Sequence, residues 1–349
     1  MVGDVMAEIA IVGAGAVGRV FAALLTLEGH NVTLFARSQT VEKMTKARGE
    51  RGFVFKSAAL EEPAHVDFKI RSSEKPYEYP FDTVIYTVKS PYVDQAVANT
   101  AGLISDESTV IFAQGGLQWW VGHADERIDP ALTDPDNHIA NHLDMNNVVS
   151  MLVSFGASLD NHNPSQIQHT GGQKIRMGLP FGDDKDVLTN AHSLFADSFL
   201  DAEKDGHIFE TLWNKACGSF AMSAYAILTQ QTLGQMTADE DTLGQMVYCA
   251  NVLQQAGAKM GFKSDVDYKE YLTTMGQNLP DHYMSILRDQ SEMHAILELP
   301  IQVADMVGVD TQFLKYVYDA CQQELTIKAQ HELVDNLNSL TDFLKLKPE

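Results

Sequence analysis

Residues 9–37 read IAIVGAGAVGRVFAALLTLEGHNVTLFAR, and their order decides the fold. An apolar strand enters a glycine turn, an apolar helix follows, and a second strand, Asn31–Phe35, leads to a cation at Arg37. Gly13, Gly15 and Gly18 keep the spacing G-x-G-x-x-G, with Ala14, Ala16 and Val17 between them. The first glycine permits a tight turn, the second lets the backbone approach a pyrophosphate, and the third lets helix and strand pack closely. The N–H groups at the start of the helix then face the phosphates. A glycine turn alone is weak evidence; one set between a strand and a helix, with a second strand behind it, predicts dinucleotide binding.

The residue that closes the second strand bears on which dinucleotide. An Asp or Glu there holds the ribose 2′-hydroxyl of NAD. Here the strand closes on Arg37, then Ser38, with no carboxylate beside it in the sequence. A guanidinium pairs with a 2′-phosphate through a bidentate fork, so NADP(H) is the expected cofactor.

The chain has 349 residues, room for two domains. Its 25 Lys+Arg against 47 Asp+Glu give a net charge of −22. Such a surface disfavours nucleic acid and anionic membranes as partners. Cys217, Cys249 and Cys321 are scattered without a C-x-x-C pair, which predicts reduced thiols in a cytoplasmic protein. No signal peptide and no membrane-spanning run is expected.

Strand and helix are expected to alternate to about residue 120, as a parallel doubly wound sheet requires. Residues 81–88 and 110–113 read as buried strands whose ends, Lys89 and Gln114-Gly115-Gly116, fall on the carboxyl edge where such sheets bind ligands. Residues 121–147 are rich in Asp, Asn, His and Pro and predict an irregular excursion. His138 and His142 lack a third ligand, so no metal is expected. Trp119 and Trp120 open the excursion and are expected to pack. Val148–Gly156 and Gln166–Gly178 read as strands that extend or edge the sheet. Helical patterns dominate from about residue 186. The fold class is therefore α/β, an N-terminal Rossmann-type doubly wound sheet over 1–190 followed by a mainly α-helical C-terminal domain over 191–349.

The helix HIFETLWNKACGSFAMSAYAIL, residues 207–228, is mostly apolar but interrupted by Lys215. Ser219 and Ser223 follow at i+4 and i+8, so all three share one stripe. A lysine in apolar surroundings loses pKa and can move protons; the plain alternative is a lysine snorkelling from a helix edge.

These residues together resemble the ketopantoate reductase (2-dehydropantoate 2-reductase) family. The likeness rests on GAGAVG, on Gly29-His30-x-Val32-Thr33-Leu34 with Arg37, on Phe81-Asp82-x-Val84-Ile85 leading to Val88-Lys89, and on Trp213-x-Lys215. It implies NADPH-dependent reduction of a 2-oxo acid, 2-dehydropantoate to pantoate in pantothenate and coenzyme A synthesis, in a cleft between two domains. It also implies Lys215 as the catalytic proton donor and Lys89 at the cofactor and substrate edge. Met284–Asp289 and Ser291–Ile296 resemble the family's later motif, which makes Ser285 a substrate contact and Glu292 its glutamate. A homodimer stays open.

The chain departs from the family at three amides. Gly115 stands where an Asn precedes Gly, and Ser219 and Ser223 stand where asparagines follow the lysine. An amide donates and accepts with a longer reach than a hydroxyl, so the three replacements together predict an altered substrate pocket. Two rival readings follow: an opine-type or β-hydroxy acid dehydrogenase, or another 2-oxo acid reductase, on the same scaffold, and a non-catalytic NADP(H) sensor.

Overall fold

The computed structural model describes residues 6–160 and 163–345. The chain divides into two compact units, Met1–Leu212 and Trp213–Glu349.

The first unit is built on one ten-stranded sheet. Its strands are β1 (Glu8–Val12), β2 (Asn31–Ala36), β3 (Phe53–Ser57), β4 (Ala64–Val66), β5 (Lys69–Ser72), β6 (Thr83–Tyr86), β7 (Thr109–Phe112), β8 (Val148–Leu159), β9 (Gln166–Gly178) and β10 (Asp201–Lys204). They run β4-β3-β9-β8-β7-β6-β1-β2-β5, with β10 beside β9. The stretch from β5 to β8 is parallel throughout and repeats the doubly wound order with the first strand central. The Rossmann-type expectation is met.

Beyond β8 the sheet changes character. β9 returns antiparallel along β8, and its two halves take different parallel partners, β3 at Gln166–His169 and β10 at Lys174–Met177. Gly171 and Gly172 sit between those halves with φ of 138° and 72°, opposite a register shift in β8 at Ser154/Gly156. Such a bulge bends a hairpin. Helix α1 (Ala16–Leu27) contacts β2 on the parallel sheet and also β8 and β9. That explains why its run from Val20 to Leu25 is buried all round. Phe21 meets the rings of Phe155 and Phe195 at 5.5 and 5.6 Å. Each such buried aromatic contributes roughly 2–3 kcal/mol through the area it removes from water.

Strand–helix alternation does not hold as far as residue 120. After α2 (Ser38–Ala47) the chain makes the β3–β4 hairpin and β5 before β6, with no helix between them. The short segments FVFKS, AHV and KIRS carry too few residues for a periodic signal, and the first and last pair with strands remote in sequence, β9 and β2. Helix α3 (Val93–Thr100) follows β6, and α4 (Val121–Ala124) opens the excursion. From there to β8 the excursion is four 3-10 turns. It is ordered around Asp134, 1% exposed, whose carboxylate accepts the N–H groups of Ile139 and Ala140 and meets His123 Nε2 at 2.9 Å. Helix α5 (Lys185–Ser193) precedes β10. The sheet thus takes a strand from beyond residue 190, because the polar stretch Asp201–Lys204 becomes a strand only by pairing with β9.

After β10 no further strand occurs among the described residues. Helix α6 (Ile208–Thr229) leads into α7 (Leu233–Ala238), α8 (Glu240–Lys259), α9 (Tyr268–Asn278), α10 (Leu299–Met306) and α11 (Gln312–Lys345). Side chains set their starts. Thr232 and Gln235 form a reciprocal capping box on α7, and Asp239 and Asp267 cap α8 and α9. No described helix is long and apolar enough to cross a membrane.

Candidate active site

In the first unit the three glycines do three different jobs. Gly13 adopts φ 119°, and a Cβ there would stand 2.8 Å from Thr87 Oγ1 and 2.9 Å from the Val88 nitrogen. A Cβ on Gly18 would be driven into the Gly13 carbonyl oxygen. A Cβ on Gly15 would meet nothing within 4 Å. The turn is closed on its inner side and open above Gly15, which also precedes α1 as an N-cap without any side-chain bond. An open backbone at the start of a helix suits a pyrophosphate, so the residues present fit a dinucleotide.

Neighbouring groups hold this turn. The Gly13 N–H donates to the Phe35 carbonyl at 2.9 Å, and the Thr87 hydroxyl donates to the Gly13 carbonyl at 2.9 Å. Arg19, only 7% exposed, donates Nε to the Ala14 carbonyl at 2.9 Å and an Nη1 hydrogen to the Pro164 carbonyl at 3.1 Å. Burial pushes its pKa below the ordinary arginine value. Neither Thr87 nor Arg19 was singled out in the sequence, because their partners are backbone carbonyls of other segments.

Along the carboxyl edge, Arg37 is exposed at the end of β2 and precedes α2. Half-buried Lys89 follows β6, and exposed Gly115 follows β7. Ser90 Oγ donates to the Gly115 carbonyl at 3.3 Å, so the loops carrying Lys89 and Gly115 are joined. Buried Gln114 donates Nε2 to the Tyr86 carbonyl at 3.1 Å, and its Oε1 has no partner. Trp119 and Trp120 are packing residues. Trp120 is fully buried with Nε1 donating to Gln118 Oε1 at 2.7 Å, and Trp119 lies against Phe112 and His123.

One expectation about the cofactor edge needs correcting. Although no carboxylate is near Arg37 in sequence, Glu74 stands at the start of α2, where its Oε2 accepts the Ser38 N–H at 3.0 Å. The Ser38 hydroxyl and amide hold the Glu74 carboxyl below the usual range, and the Arg37 charge adds to this. Parallel pairing explains the meeting: Ala36 on β2 lies opposite Ser72 on β5, so the residues after each strand emerge together.

His138 and His142 lie edge to face at 5.5 Å, and His138 pairs with Asp94. Among the described residues no group of three His, Cys, Asp or Glu side chains is arranged to hold a metal.

In the second unit α6 is anchored by Trp213, which is 1% exposed and donates Nε1 to the Leu253 carbonyl of α8 at 2.8 Å. Close approach is possible because Gly257 faces the indole, where a Cβ would be 2.8 Å from Cδ1. Gly218 similarly faces the ring of Tyr271, and the Tyr268 hydroxyl donates to the Asn214 carbonyl at 3.1 Å. Between these anchors lies Lys215, whose pKa burial lowers to about 8. Ser219 and Ser223 continue its stripe along α6, Ser223 buried at 2% exposure. The Asn214 Oδ1 beside Lys215 is buried without a partner. Ser285 and Glu292 lie on two successive 3-10 turns, Ser285–Leu287 and Gln290–Glu292, the first exposed and the second half-buried. The second turn is capped by Asp289, which accepts the Ser291 N–H at 3.0 Å.

Known proteins share this architecture. A structure from Ralstonia solanacearum described as a ketopantoate reductase superposes with a TM-score of 0.81 at 22% identity, covering 93% of this chain and 99% of the other. A D-mandelate dehydrogenase bound to NADH and anilino(oxo)acetate superposes with a TM-score of 0.76 at 17% identity, over 90% and 97% of the two chains. A dimeric ketopantoate reductase from Staphylococcus aureus gives 0.68 at 18% identity, over 90% and 98%. Among curated proteins, the 2-dehydropantoate 2-reductase of Mesorhizobium japonicum is 25% identical over 288 residues, 81% of this chain and 85% of that protein. Residues 9–180 match the family model described as ketopantoate reductase PanE/ApbA, and residues 207–324 match its C-terminal counterpart. An oxidoreductase with the glycine turn of a dinucleotide enzyme and a half-buried lysine on its Trp-x-Lys helix, this chain belongs to the ketopantoate reductase family.

Proposed function

We propose that the chain reduces a 2-oxo acid to a 2-hydroxy acid with NADPH, and that 2-dehydropantoate, converted to pantoate, is the substrate to test first. The first unit serves as the cofactor domain and the second as the substrate and catalytic domain. The bound cofactor supplies a hydride to the carbonyl carbon. Gly13–Gly18 hold its pyrophosphate, Arg37 meets its 2′-phosphate, and Lys89 and Gly115 line its edge. Lys215 gives a proton to the carbonyl oxygen, while Ser219, Ser223, Ser285 and Glu292 contact or orient the substrate.

The observation that carries this reading is the placing of Lys215, half-buried on α6 beside the Trp213 and Asn214 anchors, where burial lowers its pKa to about 8. An ammonium of that acidity is charged at neutral pH, stabilises a developing alkoxide, and releases its proton readily. The three buried free cysteines fit a cytoplasmic enzyme, and the dimeric Staphylococcus aureus relative makes a homodimer the assembly to test.

A second reading has its own support. Gly115, Ser219 and Ser223 shorten three groups where the family pattern has amides, and a structural neighbour acts on mandelate. A 2-oxo acid other than 2-dehydropantoate, an aromatic one included, is the alternative substrate. NADPH oxidation followed with 2-dehydropantoate and a panel of 2-oxo acids separates the two. Cofactor binding without turnover on any of them would overturn the reductase reading.

A further inference from the structure

We propose that Glu74 determines cofactor choice, its carboxylate competing with a 2′-phosphate for the start of α2 and thereby admitting NADH alongside NADPH. The inference rests on the dinucleotide reading of the glycine turn and deepens it at one position.

In a doubly wound fold the end of the second strand addresses the ribose 2′ position, with a carboxylate for a hydroxyl and an arginine for a phosphate. Here both groups are present. Arg37 closes β2, while Glu74 arrives from the segment after β5 and accepts the Ser38 N–H at 3.0 Å. Its place is built: Ser72 Oγ receives the Glu74 N–H at 3.2 Å and lies 2.9 Å from Ser38 Oγ. The Ser73 N–H donates to the Ala36 carbonyl at 2.8 Å, fixing the crossing of the two segments. The Ser38 amide that an anion would use is therefore already occupied by an anion, and the Arg37 charge that would attract a phosphate already has a carboxylate in its field.

The two cofactors meet this arrangement differently. A 2′-phosphate must displace Glu74 or bear its repulsion, whereas a 2′-hydroxyl can donate to it. Arg37 retains attraction for the phosphate, so the pair yields dual use.

The test is kcat/KM for NADPH and NADH in the wild type, Glu74→Gln and Glu74→Ala, with nucleotide affinities from fluorescence titration. Glu74 is exposed, so both variants keep the fold. Gln keeps an acceptor for Ser38 and removes only the charge. The expected result is use of both nucleotides by the wild type and a rise on the order of tenfold in the NADPH-to-NADH ratio for Glu74→Gln, larger at low salt. Glu74→Ala should add a loss of a few-fold in NADH affinity, the size of one hydrogen bond. A ratio unmoved by either variant, with both nucleotides binding, overturns this proposal alone. Failure of both nucleotides to bind the wild type overturns the dinucleotide reading and the proposal with it.

Discussion

Thr87 donates its hydroxyl hydrogen to the Gly13 carbonyl at 2.9 Å and so ties the end of β6 to the turn after β1. The same two groups are those a methyl on Gly18 would strike. Gly18→Ala should therefore push α1 off the turn. Crowding of this kind costs about 1–3 kcal/mol, read as a lower urea midpoint. Nucleotide affinity should fall at least about tenfold, the equivalent of 1.4 kcal/mol. Gly15→Ala, where a Cβ meets open space, should leave stability near wild type and weaken only nucleotide binding. Equal stability losses in the two variants would contradict the separate roles.

As the proposed general acid, Lys215 gives the pH dependence its sign. A general acid works only while protonated, and burial lowers this amine to about 8. Turnover for reduction should be flat below about pH 8 and fall above it, while oxidation of the hydroxy acid should rise through the same pH. Lys215→Met should lower kcat by roughly a hundredfold or more and abolish that inflection, with nucleotide affinity unchanged. An identical pH profile in the variant would remove Lys215 from the proton transfer.

Trp213 and Gly257 are matched in volume. Trp213→Ala should destabilise the protein by about 3–5 kcal/mol through lost burial and the cavity left behind. Gly257→Val should place branched carbon against an indole that has no room to give, costing about 1–3 kcal/mol. Chemical denaturation followed by Trp213-sensitive fluorescence measures the second, and small effects from both would show that α6 is anchored elsewhere.

Asp134 predicts that the 121–147 excursion is a folded element. Asp134→Ala leaves the buried Ile139 N–H and its neighbour at Ala140 without their acceptor. The cost is about 2–4 kcal/mol, one to three for each orphaned group after partial relaxation. Asp134→Asn, which keeps an acceptor oxygen, should lose less. Proteolysis confined to residues 121–147 in the Ala variant is the local readout.

Most of the cofactor turn was legible because its information is local. The glycine spacing and the burial period of α1 lie within thirty residues, and backbone sterics translate them directly into a turn and a helix. Lys215 was legible for the same reason, as a lysine interrupting a mostly apolar helix. The segments β3, β4, β5 and β10 were not, since each is only three to five residues long and becomes a strand by pairing. The excursion read as irregular, which its backbone is, but the buried carboxylate of Asp134 ties its turns together.

The sequence alone determined a glycine turn between strand and helix, of a form that fits a dinucleotide, and a lysine set in a mostly apolar helix. Only the tertiary structure decided what stands around those groups. Glu74 reaches the start of α2 because parallel register sets Ala36 opposite Ser72, a meeting of residues thirty-six apart in number. Side chains that act on a local motif from another strand are chosen by sheet pairing, and pairing is a property of the assembled core.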